Sequence, residues 1–148
     1  MSSGNTFKLI DSFEANLLEK LKETYSENQQ ISDSLLESLY FLYKNPLLEA
    51  LHLLDKYAQD TSLSVTEICD ESTGRRIYQV TGSTGFTYYL FKTLNFCTCA
   101  SFKFNILKNF EYIYCKHIIV IKLSIALNKL NRKSVSSTEL SDLIKLIR

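Results

Sequence analysis

The stretch that decides the fold runs from Phe96 to Ser124, FCTCASFKFNILKNFEYIYCKHIIVIKLS. It holds three of the four cysteines: Cys97-Thr98-Cys99, then fifteen intervening residues, then Cys115-Lys116-His117. Three thiolates and one imidazole are the donor set of a closed tetrahedral zinc site, with sulfur at about 2.3 Å and nitrogen at about 2.0 Å. The spacing also constrains the backbone. Residues two apart in a regular helix point about 200° away from each other. The C-x-C pair therefore belongs in a turn after a strand. Cys115 must sit just before a helix, with His117 in its first turn. Two other readings stay open: two disulfides that would recruit the distant Cys69, and unrelated buried thiols. Cys69 and His52 are read as structural residues.

Downstream of the motif, residues 116–130 read as a long helix. Ile118, Ile119, Val120, Ile121, Leu123, Ile125, Ala126, Leu127 and Leu130 leave it little polar surface. A helix apolar nearly all round is buried on most sides. The N-terminal helices would cover one face. The other face, carrying Val120, Leu123 and Leu127 and joined by Phe102 and Phe104, is the candidate partner surface, because large exposed apolar patches mark interfaces. A core helix enclosed within the domain is the alternative. Residues 100–108 read as weakly helical, and Glu139–Arg148 as a last short helix.

Upstream, the segments SLSVTEIC, RRIYQVTG and FTYYLF are rich in β-branched and aromatic residues. The turn sequences Asp70–Gly74 and Gly82–Gly85 separate them, which predicts a three-stranded antiparallel meander. The first 60 residues read as three helices. Phe7, Ile10, Phe13, Leu17, Leu18 and Leu21 form one apolar stripe at helical spacing. Ser32 or Asp33 caps a second helix bearing Leu35, Leu36, Leu39, Phe41 and Leu42. Asn45-Pro46 opens a third, with Leu47, Leu51 and Leu54 inward. The fold class is α+β: N-terminal helices, a small three-stranded antiparallel sheet, a C-x-C…C-x-H zinc site and a long apolar helix. The chain reads as a single domain, 1–148. Residues 1–60 are its helical segment, 61–130 its meander and zinc module, and 131–148 its C-terminal helix.

Composition narrows the function classes. The chain has 148 residues, 45% hydrophobic and 22% charged, with only four glycines and one proline, which excludes collagen-like and linker-like chains. It contains no run of roughly 20 apolar residues, so no membrane-spanning helix is expected. Its beginning, MSSGNTFKLIDSFEANLL, lacks the basic, apolar and small-residue order of a secretory signal, so a reducing compartment is expected. The net charge of +1 hides a polarity: residues 1–72 carry a balance of −8 and residues 73–148 a balance of +9. Such halves either meet different partners or face each other and cancel. In the basic half, Arg75, Arg76, Lys103, Lys116 and Lys122 are candidate nucleic-acid contacts, with Tyr88, Tyr89, Phe91, Tyr112 and Tyr114 as stacking platforms. The other reading of these residues is a solvated face with ordinary strand aromatics. A zinc held by four protein ligands has no open position for water, and no H-x-E, P-loop, G-x-G-x-x-G or G-x-S-x-G motif is present. No enzyme is expected.

C-x-C followed at a distance by C-x-H resembles the SWIM zinc-finger family. The flanks LESLYFLYKNPLLEALHLLDK, TGRRIYQVTGS and the stretch quoted above resemble the small SWIM-domain subunit of Shu-type complexes, over roughly residues 31–130. The resemblance implies Cys97, Cys99, Cys115 and His117 as ligands of Zn2+. It implies a non-enzymatic role in the nucleus: pairing with a RecA-type recombinase paralogue. The complex would promote recombinase filaments on single-stranded DNA during homologous recombination and DNA repair. The family's extended motif continues to a small Ala three residues past the His, where this chain has the larger Val120.

Overall fold

A computed structural model describes residues 3–147. Three helices come first: α1 (Ser3–Asn28), α2 (Asp33–Tyr43) and α3 (Asn45–Gln59). Strands β1 (Val65–Asp70), β2 (Arg75–Thr81) and β3 (Thr87–Phe91) follow. A π-helical turn (Phe102–Lys108) then leads to α4 (Lys116–Ala126), β4 (Asn131–Ser134) and α5 (Ser137–Ile144).

Local chemistry sets the helix boundaries. The Ser32 hydroxyl accepts a hydrogen bond from the Leu35 N–H at 3.3 Å, capping α2. Lys44, at φ 60°, ends α2 and opens α3, and Pro46 sits in the first turn of α3 where its missing N–H costs nothing. Leu35, Leu39 and Tyr43 recur every four residues and form the buried face of α2. The α1 stripe is buried only at its C-terminal end, through Leu17 and Leu21, whereas Phe7 and Phe13 are exposed. Phe41, expected on the apolar face of α2, is exposed too.

The sheet has four strands, not three, in the order β3-β2-β1-β4. β1, β2 and β3 form the expected antiparallel meander, and β4 pairs in parallel with β1, Thr66 opposite Asn131. This strand escapes pattern reading because its four residues, Asn131, Arg132, Lys133 and Ser134, are polar and exposed. Backbone pairing alone defines it. The expected C-terminal helix from 131 is corrected accordingly: α5 spans Ser137–Ile144, and Arg148 lies outside the described residues.

The long apolar helix is also corrected. α4 has eleven residues and stops at Ala126. Asn128 takes the left-handed conformation at φ 55°, and the Lys129 N–H bonds back to the Ser124 carbonyl at 2.8 Å. Such a terminus favours Asn because its short polar side chain tolerates the left-handed region. α4 lies at the centre of the molecule, against α1, α3, β1 and β2. Ile118, Ile119, Val120, Ile121 and Leu123 have no exposed surface.

Strand alternation builds three layers. Tyr78 and Val80 point to the main core with α1–α4, while Ile68 and Ile77 point to the opposite face, where Leu140 and Ile147 cover them. Asp70 joins the layers. It accepts hydrogen bonds from the hydroxyls of Ser72 (2.7 Å) and Thr73 (2.6 Å) in its own turn and from Ser137 (2.5 Å) at the start of α5.

Candidate metal centre

Cys97 and Cys99 lie in the loop after β3, which Leu94 turns at φ 52°. The π-helical turn begins just beyond, and the Phe102 N–H donates to Cys99 Sγ at 3.3 Å. Cys115 is the N-cap of α4, in extended conformation at φ −80° and ψ 166°, and His117 is the second residue of the helix. The sequence required both placements.

These four side chains are buried, and one ligand atom from each lies within 4.8 Å of all the others. Tetrahedral zinc with the bond lengths given above has S···S edges of about 3.8 Å and S···N edges of about 3.6 Å. Cys97 Sγ and His117 Nδ1 are 3.7 Å apart, which matches such an edge. No disulfide forms, since all four cysteines are free thiols. Cys69 is half-buried in β1, and His52 is exposed on α3 and is not one of the four clustered donors.

The electrostatics of the cluster ask for a cation. The thiols of Cys115 and Cys97 donate hydrogen bonds to Cys99 and hold its thiolate well below the usual thiol range. At Cys97 the hydrogen bond with Cys115 pulls downward. Its bond to Cys99, its burial and the Cys99 charge outweigh that and push it up to about 12. Cys115 is driven far upward by its hydrogen bonds to Cys97 and Cys99, then by burial. Thiols packed this closely oppose one another's ionisation. A divalent cation ionises the remaining thiols and satisfies them together. The donor set, the burial and the spacing fit zinc, and four protein donors complete its shell.

Residues 86–126 match the model of the SWIM zinc finger. The chain is 36% identical over 128 residues to "Zinc finger SWIM domain-containing protein 7" of Mus musculus, covering 86% of this chain and 80% of that protein. The protein of the same name in Danio rerio is 35% identical over 128 residues, covering 86% of each chain. The chain belongs to the zinc finger SWIM domain-containing protein 7 family. A homologue in Dictyostelium discoideum is 31% identical over 118 residues, covering 80% of this chain and 68% of its own. No solved structure matches the chain.

Outside the ligands, the structure redistributes the expected site residues. Phe102, Val120, Leu123 and Leu127 are core residues, so the partner face expected on them is not there. Phe102 packs edge-on against Phe96, and α4 is enclosed on most sides with only Ile125 exposed among its apolar residues, which is the alternative reading of that helix. Phe104 alone of this group is exposed, beside Leu107 and Phe110.

Four of the five candidate nucleic-acid residues face carboxylates. Arg75 is 3.7 Å from Asp70, Arg76 3.6 Å from Glu67, Lys116 3.7 Å from Glu49 and Lys122 2.6 Å from Glu14. Lys122 is enclosed between α1 and α4 and lies over the Tyr114 ring, so it presents no charge to a polyanion. Only Lys103 has no carboxylate partner among the described residues.

Sequence reading missed the surroundings of His117. The Tyr88 ring lies 4.2 Å, centroid to centroid, from the imidazole, and Phe86 lies 4.9 Å from Tyr88 in turn. The only sequence signal was the aromatic spacing of Phe86, just before β3, and Tyr88 within it, and Tyr88 reads equally as a nucleobase platform.

Proposed function

We propose that this protein is a non-enzymatic adaptor subunit of a Shu-type complex. Held rigid by its zinc, it pairs in the nucleus with a RecA-type recombinase paralogue and promotes recombinase filament assembly on single-stranded DNA in homologous recombination. The family relationship supports this reading, as does the closed ligand shell, which leaves zinc a structural task. The observation that carries it is an exposed apolar surface. Phe104, Leu107 and Phe110 project from the π-helical turn and the loop beyond it, and Phe110 is 84% exposed. Phe7 and Ile10 of α1, with Phe110 and Ile113, border an adjoining groove of about 490 Å³. Aromatic clusters of this kind are unfavourable in water and mark interfaces. The cysteine loop and the start of α4 bracket the turn, so zinc fixes where the anchors stand.

The test is co-purification of the tagged protein with the recombinase paralogue of its own cell. Phe110→Asp and Leu107→Asp, both on the surface, should abolish pairing while zinc content and circular dichroism stay as in the wild type. Pairing undiminished in both variants would place the interface elsewhere. A wild-type protein that purifies alone and ignores every recombinase paralogue would remove the reading.

A further inference from the structure

We propose that Gly82 and Tyr88 form the slot that aims the His117 ring, so that Nδ1, not Nε2, is the nitrogen that faces the zinc. Three observations converge. Nδ1 lies 3.7 Å from Cys97 Sγ, inside the ligand cluster. Nε2 is buried and has no hydrogen-bond partner among the described residues. A Cβ built on Gly82 would stand 3.1 Å from that same Nε2 and 3.1 Å from Tyr88 Cε2. Nε2 is thus turned into a slot between the backbone of the β2–β3 turn and the face of Tyr88, away from the sulfurs.

Chain geometry explains the choice. Cys115 and His117 stand two residues apart at the start of one helix, so the imidazole has little reach. Nδ1 is the ring nitrogen nearer the backbone and meets the sulfurs first. A histidine ligand is usually oriented by a hydrogen bond from its other nitrogen to an acceptor. Here packing performs that task. Tyr88 lies against one face of the ring at 4.2 Å, and Phe86 backs Tyr88 at 4.9 Å. Gly82 closes the far end, with its N–H bonded to the Phe86 carbonyl at 2.8 Å. Gly82 is not required for its conformational freedom, because its φ lies outside the left-handed region where Gly74 (φ 73°) and Gly85 (φ 86°) are found. It is required because a Cβ would crowd the imidazole and the Tyr88 ring, each at 3.1 Å, and one of the two rings would have to shift. Tyr88 and Gly82 are positioning residues for the metal centre and touch no metal themselves.

The direct test uses the full-length protein loaded with an NMR-active cadmium isotope and labelled with nitrogen-15. Through-bond coupling from the metal should appear at Nδ1 of His117, and coupling at Nε2 would overturn the proposal. Chelator competition provides the second measurement. Gly82→Ala should weaken zinc binding about tenfold or more, the range typical of lost ligand support. Gly74→Ala, whose new Cβ meets nothing within 4 Å, gauges what backbone strain alone does through the fold. Tyr88→Phe keeps the stacking face and should bind zinc as the wild type does, whereas Tyr88→Leu should not. Equal losses in Gly82→Ala and Gly74→Ala, or undiminished binding in Tyr88→Leu, would refute the slot. None of these outcomes depends on whether the protein pairs with a recombinase paralogue.

Discussion

The ion pair between Glu14 of α1 and Lys122 of α4 offers a sharp test of how the helical layer is held together. Its side chains are only 9% and 15% exposed, and Nζ lies 2.6 Å from Oε1. Tyr43 donates its hydroxyl to Oε2 at 2.8 Å, and the ammonium sits 4.3 Å from the centre of the Tyr114 ring. At an effective dielectric of about 20, charges this close attract by about 6 kcal/mol. Desolvating each ion costs several kcal/mol, so the intact pair adds little net stability. Removing one partner is different. Lys122→Met keeps the apolar stem but leaves a carboxylate with a single hydroxyl for company. Lys122→Met should therefore lose about 3–5 kcal/mol, the cost of breaking a buried pair and leaving one charge uncompensated. Glu14→Gln combined with Lys122→Met removes the stranded charge and keeps an acceptor for Tyr43, so it should recover most of that loss. Urea unfolding of the zinc-loaded proteins at pH 7 measures all of this. A loss below about 1 kcal/mol in Lys122→Met, of the size expected for a surface ion pair, would show that the pair is not buried in solution.

Other predictions follow from the same structure. Cys97→Ser and His117→Ala should each lose zinc and fold together, seen as absent metal in elemental analysis and collapsed circular dichroism, because binding free energy is folding free energy at such a site. Ile119→Ala in the enclosed face of α4 should cost about 2–5 kcal/mol of unfolding free energy in urea. The hydroxyls of Ser137, Thr73 and Ser72, in that order, hold the Asp70 carboxyl well below its ordinary 3.8. Its stabilising effect is present above pH 4 and is lost as pH falls, so acid unfolding of Asp70→Asn should be flatter than that of the wild type in that window. Burial, then the charge and hydrogen bond of Glu14, raise Tyr43 far above its ordinary 10.0. Its contribution is complete below pH 10 and is lost as pH rises beyond it, so Tyr43→Phe should flatten alkaline unfolding followed by tyrosine absorbance.

The metal centre was legible because its chemistry is carried by residue type and spacing. C-x-C forbids a helix, and C-x-H requires one that begins between its two ends, whatever the rest of the chain does. The meander was legible because Val65, Ile68, Ile77, Val80 and Leu90 carry the apolar pattern of strands. β4 was not, because Asn131–Ser134 bury no side chain and owe their conformation to the open edge of β1. The end of α4 was hidden for a related reason: Leu127 and Leu130 continue the apolar pattern, while the left-handed Asn128 that stops the helix looks like any polar residue. Periodicity also cannot tell a helix face that meets its own domain from one that meets another protein. Val120 and Phe104 are equally apolar in sequence. Only the packing shows that Val120 is enclosed at the centre while Phe104 stands in solvent.

The opposed charges of the two halves find their explanation in the same packing. Glu14, Glu49, Glu67 and Asp70 come from the acidic half, and each faces a cation from the basic half: Lys122, Lys116, Arg76 with Arg132, and Arg75. The polarity along the sequence is therefore partly internal: among the described residues, four of the thirteen carboxylates of the first half face five of the twelve cations of the second. It brings helices and strands from the two halves into register, as negative α1 and α3 meet positive α4, and negative β1 meets positive β2 and β4. Individually the exposed pairs contribute little, since solvent and salt screen them. Their joint consequence is for function. A surface whose cations face its own carboxylates holds a weaker field for a polyanion than the sequence count suggests. The chain also leaves apolar side chains exposed, at Phe104, Leu107 and Phe110. Under the proposed adaptor reading, those side chains rather than the paired cations are where a protein partner would dock.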